Sequence, residues 1–315
     1  MKQLSLVIPA YNEAESLPLL LEEIRTVCES AGIDYEALVI DDGSTDGTFE
    51  VVAAVHARDA RVQAIRFRRN SGKAAALAEG FRQAQGRYII TMDADLQDNP
   101  AEIPDLIHML EEGADMVSGW KKVRHDPWHK TVPSKLFNSV TSSVSGLRLN
   151  DFNCGLKAYR AEVVKSLDLY GEMHRYIPVL AHWDGFKVAE KVVEHRARRY
   201  GSSKYGWSRL SNGLFDLVTL VFLHRYTRRP MHLFGFVGLV FTLVGFLVLA
   251  GFLMDWMLTG DLHVRPLMLA GIVSMLVGVQ FASIGLLGEM INQRFAHQSP
   301  PPPIAASTFG AASEP

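Results

Sequence analysis

The stretch TMDADLQDNP at residues 91–100 places Asp93, Asp95 and Asp98 within six positions. Carboxylates this close repel one another unless a cation lies between them. The stretch overlaps the end of RYIITM, which is typical of a buried strand, and alternate residues of a chain that stays extended point to the same side. Carboxylate and amide oxygens are the ligands that Mg²⁺ and Mn²⁺ prefer. We therefore expect Asp93 and Asp95, with the amide of Gln97 nearby, to bind a divalent metal; a solvated acidic loop is the alternative.

This polar stretch is one of four that follow short, apolar, strand-like runs. PAYNE follows the run at 4–8, DDGSTDGT the run at 35–40, RRNSGK the run at 62–67 and DADLQD the run at 87–92. A fifth run covers 114–119, and helical stretches lie between the runs, at about 14–31, 45–58, 72–85 and 100–112. This alternation predicts an α/β fold with a mostly parallel sheet that is covered on both faces. Ligands of such sheets bind beyond the carboxyl ends of the strands, so the four polar stretches should gather at one edge and form a site.

Other side chains of these stretches suit a nucleotide. Asp41 and Asp42 are paired acids that can accept hydrogen bonds from a base or a ribose. Lys73 opens a predicted helix, where the helix dipole disfavours a cation; a phosphate or nucleotide contact would explain it, and a solvated lysine is the alternative. Mg²⁺ held by few carboxylates takes water and phosphate oxygens as further ligands, which predicts a nucleoside diphosphate compound as the substrate. The sequence has neither GxxxxGKS/T nor GxGxxG, which disfavours a P-loop or a dinucleotide-binding domain.

The formal net charge of the 315 residues is only −2, but the charges are unevenly distributed. Residues 1–113 hold 10 basic and 20 acidic side chains, residues 114–230 hold 20 and 10, and residues 231–315 hold 2 and 4. The middle third is therefore a candidate surface for an anionic partner, and nucleic acid, lipid phosphate and an anionic membrane all fit that charge. Cys28 and Cys154 form no CxxC pair, which predicts neither a disulfide framework nor a zinc site.

Two segments near the C-terminus have the composition of membrane spans. Residues 233–254 and 267–288 are each 22 residues without a charge. At 1.5 Å per residue such a helix spans about 33 Å, against a hydrocarbon core of about 30 Å. Basic side chains precede the first span, in HRYTRRP, and Arg294 follows the second, so the positive-inside rule predicts both termini in the cytosol. The chain begins with a strand-like run and no signal peptide, which agrees with a cytosolic catalytic part.

These patterns predict an order of parts along the chain. The parts are a cytosolic catalytic domain at 1–208, a juxtamembrane amphipathic helix at 209–230, two transmembrane helices within 231–290, and a cytosolic, largely disordered tail at 291–315. The amphipathic segment, RLSNGLFDLVTLVFLHR, has apolar positions at helical spacing and basic ends. It lies either in the membrane surface or against the catalytic domain, and both interpretations stay open.

Five stretches, PAYNE, DDGSTDGT, NSGKAAAL, DADLQDNP and DFNCGLKAYR, occur in this order along the chain. Together they resemble glycosyltransferase family 2, and most closely its polyprenyl-phosphate branch, over roughly residues 3–225. The resemblance implies a GT-A fold, a Rossmann-like, mostly parallel sheet. It also implies a metal-dependent, inverting transfer of a sugar from a nucleoside diphosphate sugar to a polyprenyl (undecaprenyl) phosphate. Two C-terminal spans are usual in bacterial members, which implies a protein of the bacterial inner membrane.

The resemblance, together with the residue types, assigns expected roles to individual side chains. The nucleotide sugar would be bordered by Pro9, Tyr11, Asn12, Glu13, Asp41, Asp42, Lys73 and Asp93. The metal, Mg²⁺ or Mn²⁺, would be held by Asp93, Asp95 and Gln97, and the acceptor phosphate by Lys121, Lys130, Ser134, Arg198 and Lys204. The expected catalytic residues are Asp93, Asp95 and Asp151. Asp151 would orient the acceptor or a lysine, with a role as general base as the alternative.

Several properties stay open at this point. Mannose synthases of the family tend to have arginines in the acceptor loop, where this chain has lysines and a serine, so the sugar is undetermined and UDP is preferred over GDP. A processive polysaccharide synthase of the same fold is an alternative, although its QxxRW-type motif is not found after the catalytic stretches. A catalytically silent, membrane-anchored nucleotide-binding regulator is another. The expected partners are the donor, the lipid acceptor, the membrane and further copies of the chain, with no nucleic acid.

Overall fold

The computed structural model describes most of the chain as two compact units. The described residues are 2–122, 138–167, 169, 171, 173–196, 230–260 and 265–295. The described residues up to 196 belong to the larger unit, and those from 230 to 295 belong to the smaller one. Several predictions fall outside the described residues: those for Lys130, Ser134, Arg198 and Lys204, the amphipathic helix up to residue 229, and the tail beyond residue 295.

A seven-stranded sheet forms the centre of the larger unit, and its order is β3-β2-β1-β4-β6-β5-β7. The strands are β1 (Leu4–Ala10), β2 (Tyr35–Asp41), β3 (Val62–Arg66), β4 (Tyr88–Thr91), β5 (Met116–Trp120), β6 (Lys157–Arg160) and β7 (Val188–Val192). The pairs β1–β2, β1–β4, β2–β3 and β5–β7 are parallel. β6 is antiparallel to both of its neighbours, β4 and β5. The prediction of a mostly parallel sheet is confirmed.

Helices cover both faces of the sheet, as the alternating pattern predicts. They include α1 (Leu17–Ser30), α2 (Thr48–His56), α3 (Lys73–Gln83) and α4 (Ile103–Glu111). Successive side chains of a strand point to opposite faces. Leu6 of β1 accordingly joins the apolar cluster on one face, with Ile24 and Leu106, and its neighbour Val7 joins the other cluster, with Leu77. Each such side chain contributes about 1.5–3 kcal/mol when it is fully buried.

The antiparallel insertion of β6 decides which residues reach the site. Parallel strands bring the carboxyl ends of β1 to β4 to one edge of the sheet. Because β6 runs the other way, it begins at that edge, with Lys157 opposite Thr91 at the end of β4. β5 and β7 are parallel to each other and end at the same edge. The loops that follow β1 to β5 and β7, and the segment that precedes β6, therefore all lie at one edge of the sheet.

Two long helices, Pro230–Thr259 and Pro266–Phe295, form the described part of the smaller unit and contain both predicted spans. Both are long and apolar enough to cross a membrane, and only 11% of each apolar window is buried, unlike the core helix of a soluble protein. The helices approach closely at glycines: a Cβ on Gly238 would lie 2.6 Å from the carbonyl oxygen of Gly278. We refer to them as the helical pair.

Candidate active site

The loops that follow β1 and β2 are bound to each other by side chains of the PAYNE and DDGSTDGT stretches. The Asn12 N–H donates to Ser44 Oγ, and Asn12 Oδ1 accepts from the Thr45 N–H, both over 2.9 Å. The Glu13 N–H donates to Thr48 Oγ1 over 2.9 Å. Asn12 has a φ of 57°, in the left-handed region that asparagine tolerates better than most residues. These contacts fix the wall of the predicted nucleotide site.

Pro9 and Tyr11 flank this wall. Pro9 lies within β1, opposite Ile40 of β2. Tyr11 comes directly after the strand, and 37% of its surface is exposed. An exposed aromatic ring next to a polar loop is a surface on which a nucleobase can stack. The structure thus brings all four predicted residues of PAYNE to the edge where β1 ends.

Asp42 holds the loop after β3 through backbone groups. Its Oδ1 accepts from the Ser71 N–H over 2.6 Å, and its Oδ2 accepts from the Gly72 N–H over 2.9 Å. The loops touch so closely that a Cβ on Gly43, whose φ is 74°, would lie 2.7 Å from the carbonyl carbon of Arg69. Both oxygens of Asp42 are therefore engaged within the protein.

Asp41 is arranged differently, although its side chain is also buried. Its Oδ1 accepts from the Ser44 N–H over 2.8 Å. Its Oδ2 lies 3.5 Å from Arg66 Nε and makes no hydrogen bond to the residues that the structure describes. A carboxylate oxygen accepts more than one hydrogen bond, so Asp41 has capacity for a donor group of a nucleotide.

The loop after β4 is a turn, and the expectation that Asp93 and Asp95 lie on an extended chain is wrong. β4 ends at Thr91, and residues 94 and 95 form a turn. Asp95 Oδ1 accepts from the Gln97 N–H over 3.2 Å, which curls the chain. Leu96 between them has a φ of 63°, an uncommon conformation for leucine, and its side chain is 3% exposed. Burial of that apolar side chain holds the turn.

Two lysine–aspartate ion pairs balance the acids of this loop. Lys73 Nζ pairs with Asp93 Oδ1, and both side chains are 33% exposed. Lys121 Nζ lies 2.9 Å from Asp98 Oδ1, in a pair that is almost fully buried. Desolvation in the site would raise the pKa of Asp93, but Lys73 and then Lys121 outweigh it and hold that pKa well below its usual range. Asp93 is thus ionised at any physiological pH.

The segment before β6 forms the floor beneath Asp93. A Cβ on Gly155 would lie 2.6 Å from Asp93 Cγ, so only a glycine leaves room for the carboxylate there. Lys157, which is 4% exposed, donates from its ammonium group to the carbonyl oxygen of Cys154. Burial lowers the pKa of Lys157, while nearby groups, Asp151 and Asp93 among them, favour its charged form. Asp151, a predicted catalytic residue, therefore lies close to a buried lysine.

The segment after β7 runs along the loop that follows β4, residues 92–99, which we call the acid loop. His195 forms an isolated antiparallel bridge with Asp98, and the Arg196 N–H donates to the Gln97 carbonyl oxygen over 3.0 Å. The Arg196 guanidinium also donates to Asn99 Oδ1 over 2.7 Å and to Glu23 Oε2 over 2.6 Å. The chain that continues towards the predicted acceptor residues at 198 and 204 thus starts beside the acid loop.

The structure adds four residues that the sequence did not assign to the site: Asp98, Gly155, Lys157 and His174. The motif DFNCGLKAYR contains two of them, but nothing in its pattern shows that it begins an antiparallel strand at the site edge. Burial is the largest of the causes that lower the pKa of His174. The positive charges of Lys73, Arg175 and Lys157 lower this pKa further, to about 2. A neutral imidazole therefore lies among cationic groups near Asp93.

The arrangement fits a metal that shares its ligands with a substrate. Within the described ranges, no group of three or more histidines, cysteines, aspartates and glutamates is placed to hold a metal ion. Asp93 lies in a cradle that a Cβ on Gly155 would fill, and Asp95 follows in the same turn. Mg²⁺ typically takes one or two carboxylates and completes its shell with water and phosphate oxygens. The acid loop suits that kind of ion and not a site closed by protein ligands alone.

Comparison with known proteins identifies the relatives of this chain. The model of the family "Glycosyl transferase family 2" matches residues 5–168. Dodecaprenyl-phosphate galacturonate synthase of Rhizobium johnstonii is 37% identical over 93% of this chain and 88% of its own length. Undecaprenyl-phosphate 4-deoxy-4-formamido-L-arabinose transferase of Proteus mirabilis is 36% identical over 92% of this chain and 89% of its own length.

Solved structures share the fold of the larger unit at lower identity. Glucosyl-3-phosphoglycerate synthase from Mycobacterium tuberculosis, solved with Mn²⁺ and UDP-glucose, has a TM-score of 0.55, 21% identity, and covers 71% of this chain and 79% of its own. Mannosyl-3-phosphoglycerate synthase from Rubrobacter xylanophilus has a TM-score of 0.55, 18% identity, and covers 70% and 74%. These likenesses confirm the GT-A fold. With the family match and the two relatives, they show that the chain is an enzyme of glycosyltransferase family 2, in the branch of polyprenyl-phosphate glycosyltransferases.

Proposed function

We propose that the chain transfers a single sugar from a nucleoside diphosphate sugar to a polyprenyl phosphate, undecaprenyl phosphate in a bacterium, at the cytosolic face of the membrane. One observation carries the chemistry: Asp93 lies at the carboxyl edge of the sheet, cradled by Gly155 and paired with Lys73. The relatives, which are named for dodecaprenyl and undecaprenyl phosphate products, support the acceptor.

In this proposal, the loops after β1 and β2 bind the nucleotide. Tyr11 offers an exposed ring for the base, and Asp41 has an oxygen that makes no hydrogen bond to the described residues. The remaining members of PAYNE, which are Pro9, Asn12 and Glu13, shape the wall beside them. Asp42 acts indirectly, because both of its oxygens hold the backbone that leads to Lys73. The structural neighbours that were solved with UDP support UDP over GDP as the donor nucleotide.

The acid loop holds the donor diphosphate through a divalent cation, Mg²⁺ or Mn²⁺, with Asp93, Asp95 and the amide of Gln97 as its proposed protein ligands. When bound, such an ion stabilises the charge that develops on the leaving diphosphate. Lys73, which opens α3 beside Asp93, supplies a further positive charge. The neighbour solved with Mn²⁺ and UDP-glucose supports the choice of ion and donor.

The acceptor needs little activation. A phosphate monoester has a second pKa of about 6, so at neutral pH it is already a dianionic nucleophile for an inverting displacement. The site has instead to keep two anions together, and lysines provide that charge: Lys121 beside Asp98 and Lys157 in the floor. Lys130, Ser134, Arg198 and Lys204 remain proposed acceptor contacts. Asp151 lies near Lys157, and we propose that it orients that lysine instead of acting as a base.

The helical pair would anchor the enzyme where its lipid acceptor resides. Both helices are long and apolar enough to span, and most of their surface is exposed and therefore suited to lipid. The basic residues that flank them favour cytosolic termini, in the bacterial inner membrane. Two spans per chain leave exposed apolar faces on which copies of the chain can pack, so we propose a homo-oligomer within the membrane.

The test is incubation of the purified full chain, in detergent, with undecaprenyl phosphate and a panel of UDP and GDP sugars, with lipid products identified by mass spectrometry. We expect one sugar added per lipid with Mn²⁺ or Mg²⁺, and no product in EDTA. A ladder of longer products would indicate a processive polysaccharide synthase. Nucleotide binding without product from any donor would indicate a catalytically silent regulator, and either outcome would overturn the proposal.

A further inference from the structure

Lys73 covers the carboxylate on which donor binding depends. Its ammonium group pairs with Asp93, and one-third of each side chain remains exposed. A metal ion that used Asp93 would have to share it with this ammonium or displace it. Building on the proposed diphosphate donor, we infer that Lys73 exchanges partners: it neutralises Asp93 before the donor binds and moves to the diphosphate when the donor arrives.

Asp93 itself is held in place. Gly155 packs against its carboxylate so closely that a Cβ would lie 2.6 Å from Asp93 Cγ. The Asp93 N–H also donates to Asp98 Oδ2 over 3.2 Å, which ties the backbone to the buried end of the acid loop. Of the two partners in the ion pair, Lys73 is therefore the one that moves.

The other two lysines near Asp93 are buried more deeply than Lys73. Lys121 is 13% exposed and pairs with Asp98, which is fully buried. Lys157 is 4% exposed and donates to the Cys154 carbonyl oxygen. Lys73 lies at the start of α3, is 33% exposed, and has a long, flexible side chain. It can turn from the acid loop towards a ligand without unfolding its surroundings.

The charges around Asp93 make binding of metal and nucleotide interdependent. A divalent cation alone would add two positive charges to a site where Lys73, Lys121 and Lys157 already favour the ionised form of Asp93. A diphosphate brings negative charge that offsets this excess and gives Lys73 a new partner. We therefore expect the protein to bind the free cation weakly, and to bind it far better together with a nucleoside diphosphate. By linkage, the cation raises nucleotide affinity by the same factor.

The experiment is a titration of Mn²⁺ binding to the purified full chain, with and without UDP or GDP, read from the electron paramagnetic resonance signal of unbound Mn²⁺. Lys73→Met removes the competing ammonium but keeps an unbranched side chain. We expect it to tighten binding of Mn²⁺ alone by about ten- to a hundredfold, the range expected for loss of one charged hydrogen bond. The enhancement by nucleotide should shrink, because the diphosphate loses its lysine contact.

Two further variants make the result specific. Lys2→Met removes a comparable lysine, 36% exposed and paired with Asp34, at the opposite end of β1, and should leave Mn²⁺ binding unchanged. Lys73→Arg keeps the positive charge and should restore weak binding of the free cation. If Lys73→Met were misfolded in thermal melts, Lys73→Gln would replace it in the titration. Unchanged or weaker Mn²⁺ binding by the folded Lys73 variant, or an equal change in Lys2→Met, would overturn the inference.

This test does not depend on the acceptor. A protein that forms no lipid product but shows the expected change in Lys73→Met would contradict the proposed function and leave the exchange of Lys73 standing. A protein that makes the lipid product but whose Mn²⁺ affinity is insensitive to Lys73 would keep its proposed function and exclude the exchange.

Discussion

Two acidic loops follow parallel strands at the same edge of the sheet, and different groups hold their carboxylates. In the loop after β2, the oxygens of Asp42 accept hydrogen bonds from the backbone of Ser71 and Gly72. In the loop after β4, Asp93 and Asp98 face the ammonium groups of Lys73 and Lys121. DDGS and DADLQD look equally acidic in the sequence. The oxygens of Asp42, however, are bound by backbone N–H groups, whereas Asp93 and Asp98 face lysine side chains.

The difference in partners distinguishes an acid that stabilises the fold, Asp42, from one that is available for the reaction, Asp93. Backbone N–H groups cannot move away from an acceptor as a flexible side chain can, so the hydrogen bonds of Asp42 are a fixed part of the fold. A lysine on a flexible stem can release a carboxylate to another cation. We therefore expect substitution of Asp42 to act on stability, and substitutions in the loop after β4 to act on transfer.

The largest effect is expected from Asp95→Asn. Asparagine keeps an oxygen that can accept from the Gln97 N–H, so the turn should survive, but it removes one carboxylate from the proposed metal site. Transfer should fall by at least about a hundredfold, as when one stabilising group of an active site is lost. The measurements are transfer rate and thermal melting of the same preparation. Near-normal turnover in Mg²⁺ or Mn²⁺ would remove Asp95 from the metal site.

Gly155→Ala sharpens the comparison by moving Asp93 without changing its charge. The new Cβ would lie 2.6 Å from Asp93 Cγ, so the carboxylate has to shift. A displacement on the order of 1 Å at a reacting centre costs about a hundredfold in rate. The control is Gly251→Ala in the helical pair, where a Cβ would meet nothing within 4 Å. Equal rates for both variants would mean that the position of Asp93 is unimportant.

Asp42→Asn should act on stability. An asparagine has only one acceptor oxygen for two backbone donors, and its NH₂ group would face an N–H. Loss of one hydrogen bond to a charged group costs about 1.5–3 kcal/mol, which corresponds to a fall of about 4–10 °C in Tm for a domain of this size. Thermal unfolding of the purified protein measures it. An unchanged Tm would show that the loop after β3 does not need this carboxylate.

The smallest effect is expected on the pH dependence of stability, and it comes from His174, which lies among cationic groups. Its pKa is lowered to about 2 from 6.5, by burial and then by Lys73 and other cations, so folding keeps it neutral. The unfolded chain binds a proton at His174 below about pH 6.5, whereas the folded protein keeps this side chain neutral. The free energy of unfolding is therefore undiminished by His174 above that pH and decreases as the pH falls, by at most about 1.4 kcal/mol per pH unit. Between pH 7.5 and 5, Tm should fall less steeply in His174→Gln than in the wild type. Parallel curves would contradict the neutral histidine.

The sequence predicts much of the edge of the sheet at which the candidate site lies. β1 to β4 and their helices follow from apolar runs and turn residues, and parallel pairing then forces the four polar stretches to one edge. It could not predict the floor, because the place of Gly155 and Lys157 depends on β6 inserting antiparallel between β4 and β5. The pairing of β6 with β4 joins residues more than 60 positions apart, such as Thr91 and Lys157, and leaves no local pattern.

The sequence also does not separate the roles of similar acids. Asp42 and Asp93 each follow a buried strand, and only the fold shows whether a backbone amide or an ammonium group is the partner. The sequence does not predict the turn at Asp95, for a related reason. Its left-handed Leu96 is stabilised by burial of the side chain, which outweighs the local preference of leucine for other backbone conformations.

The most direct test of this account compares Asp42→Asn and Asp95→Asn in one transfer assay, with undecaprenyl phosphate and the accepted nucleotide sugar, at a temperature where both proteins are folded. The rate per folded molecule should stay within about threefold of wild type for Asp42→Asn, because a loop that still folds still positions Lys73. It should fall by at least about a hundredfold for Asp95→Asn. A result in which Asp42→Asn is inactive while Asp95→Asn turns over normally would contradict the assignment of a structural role to Asp42 and a chemical role to Asp95.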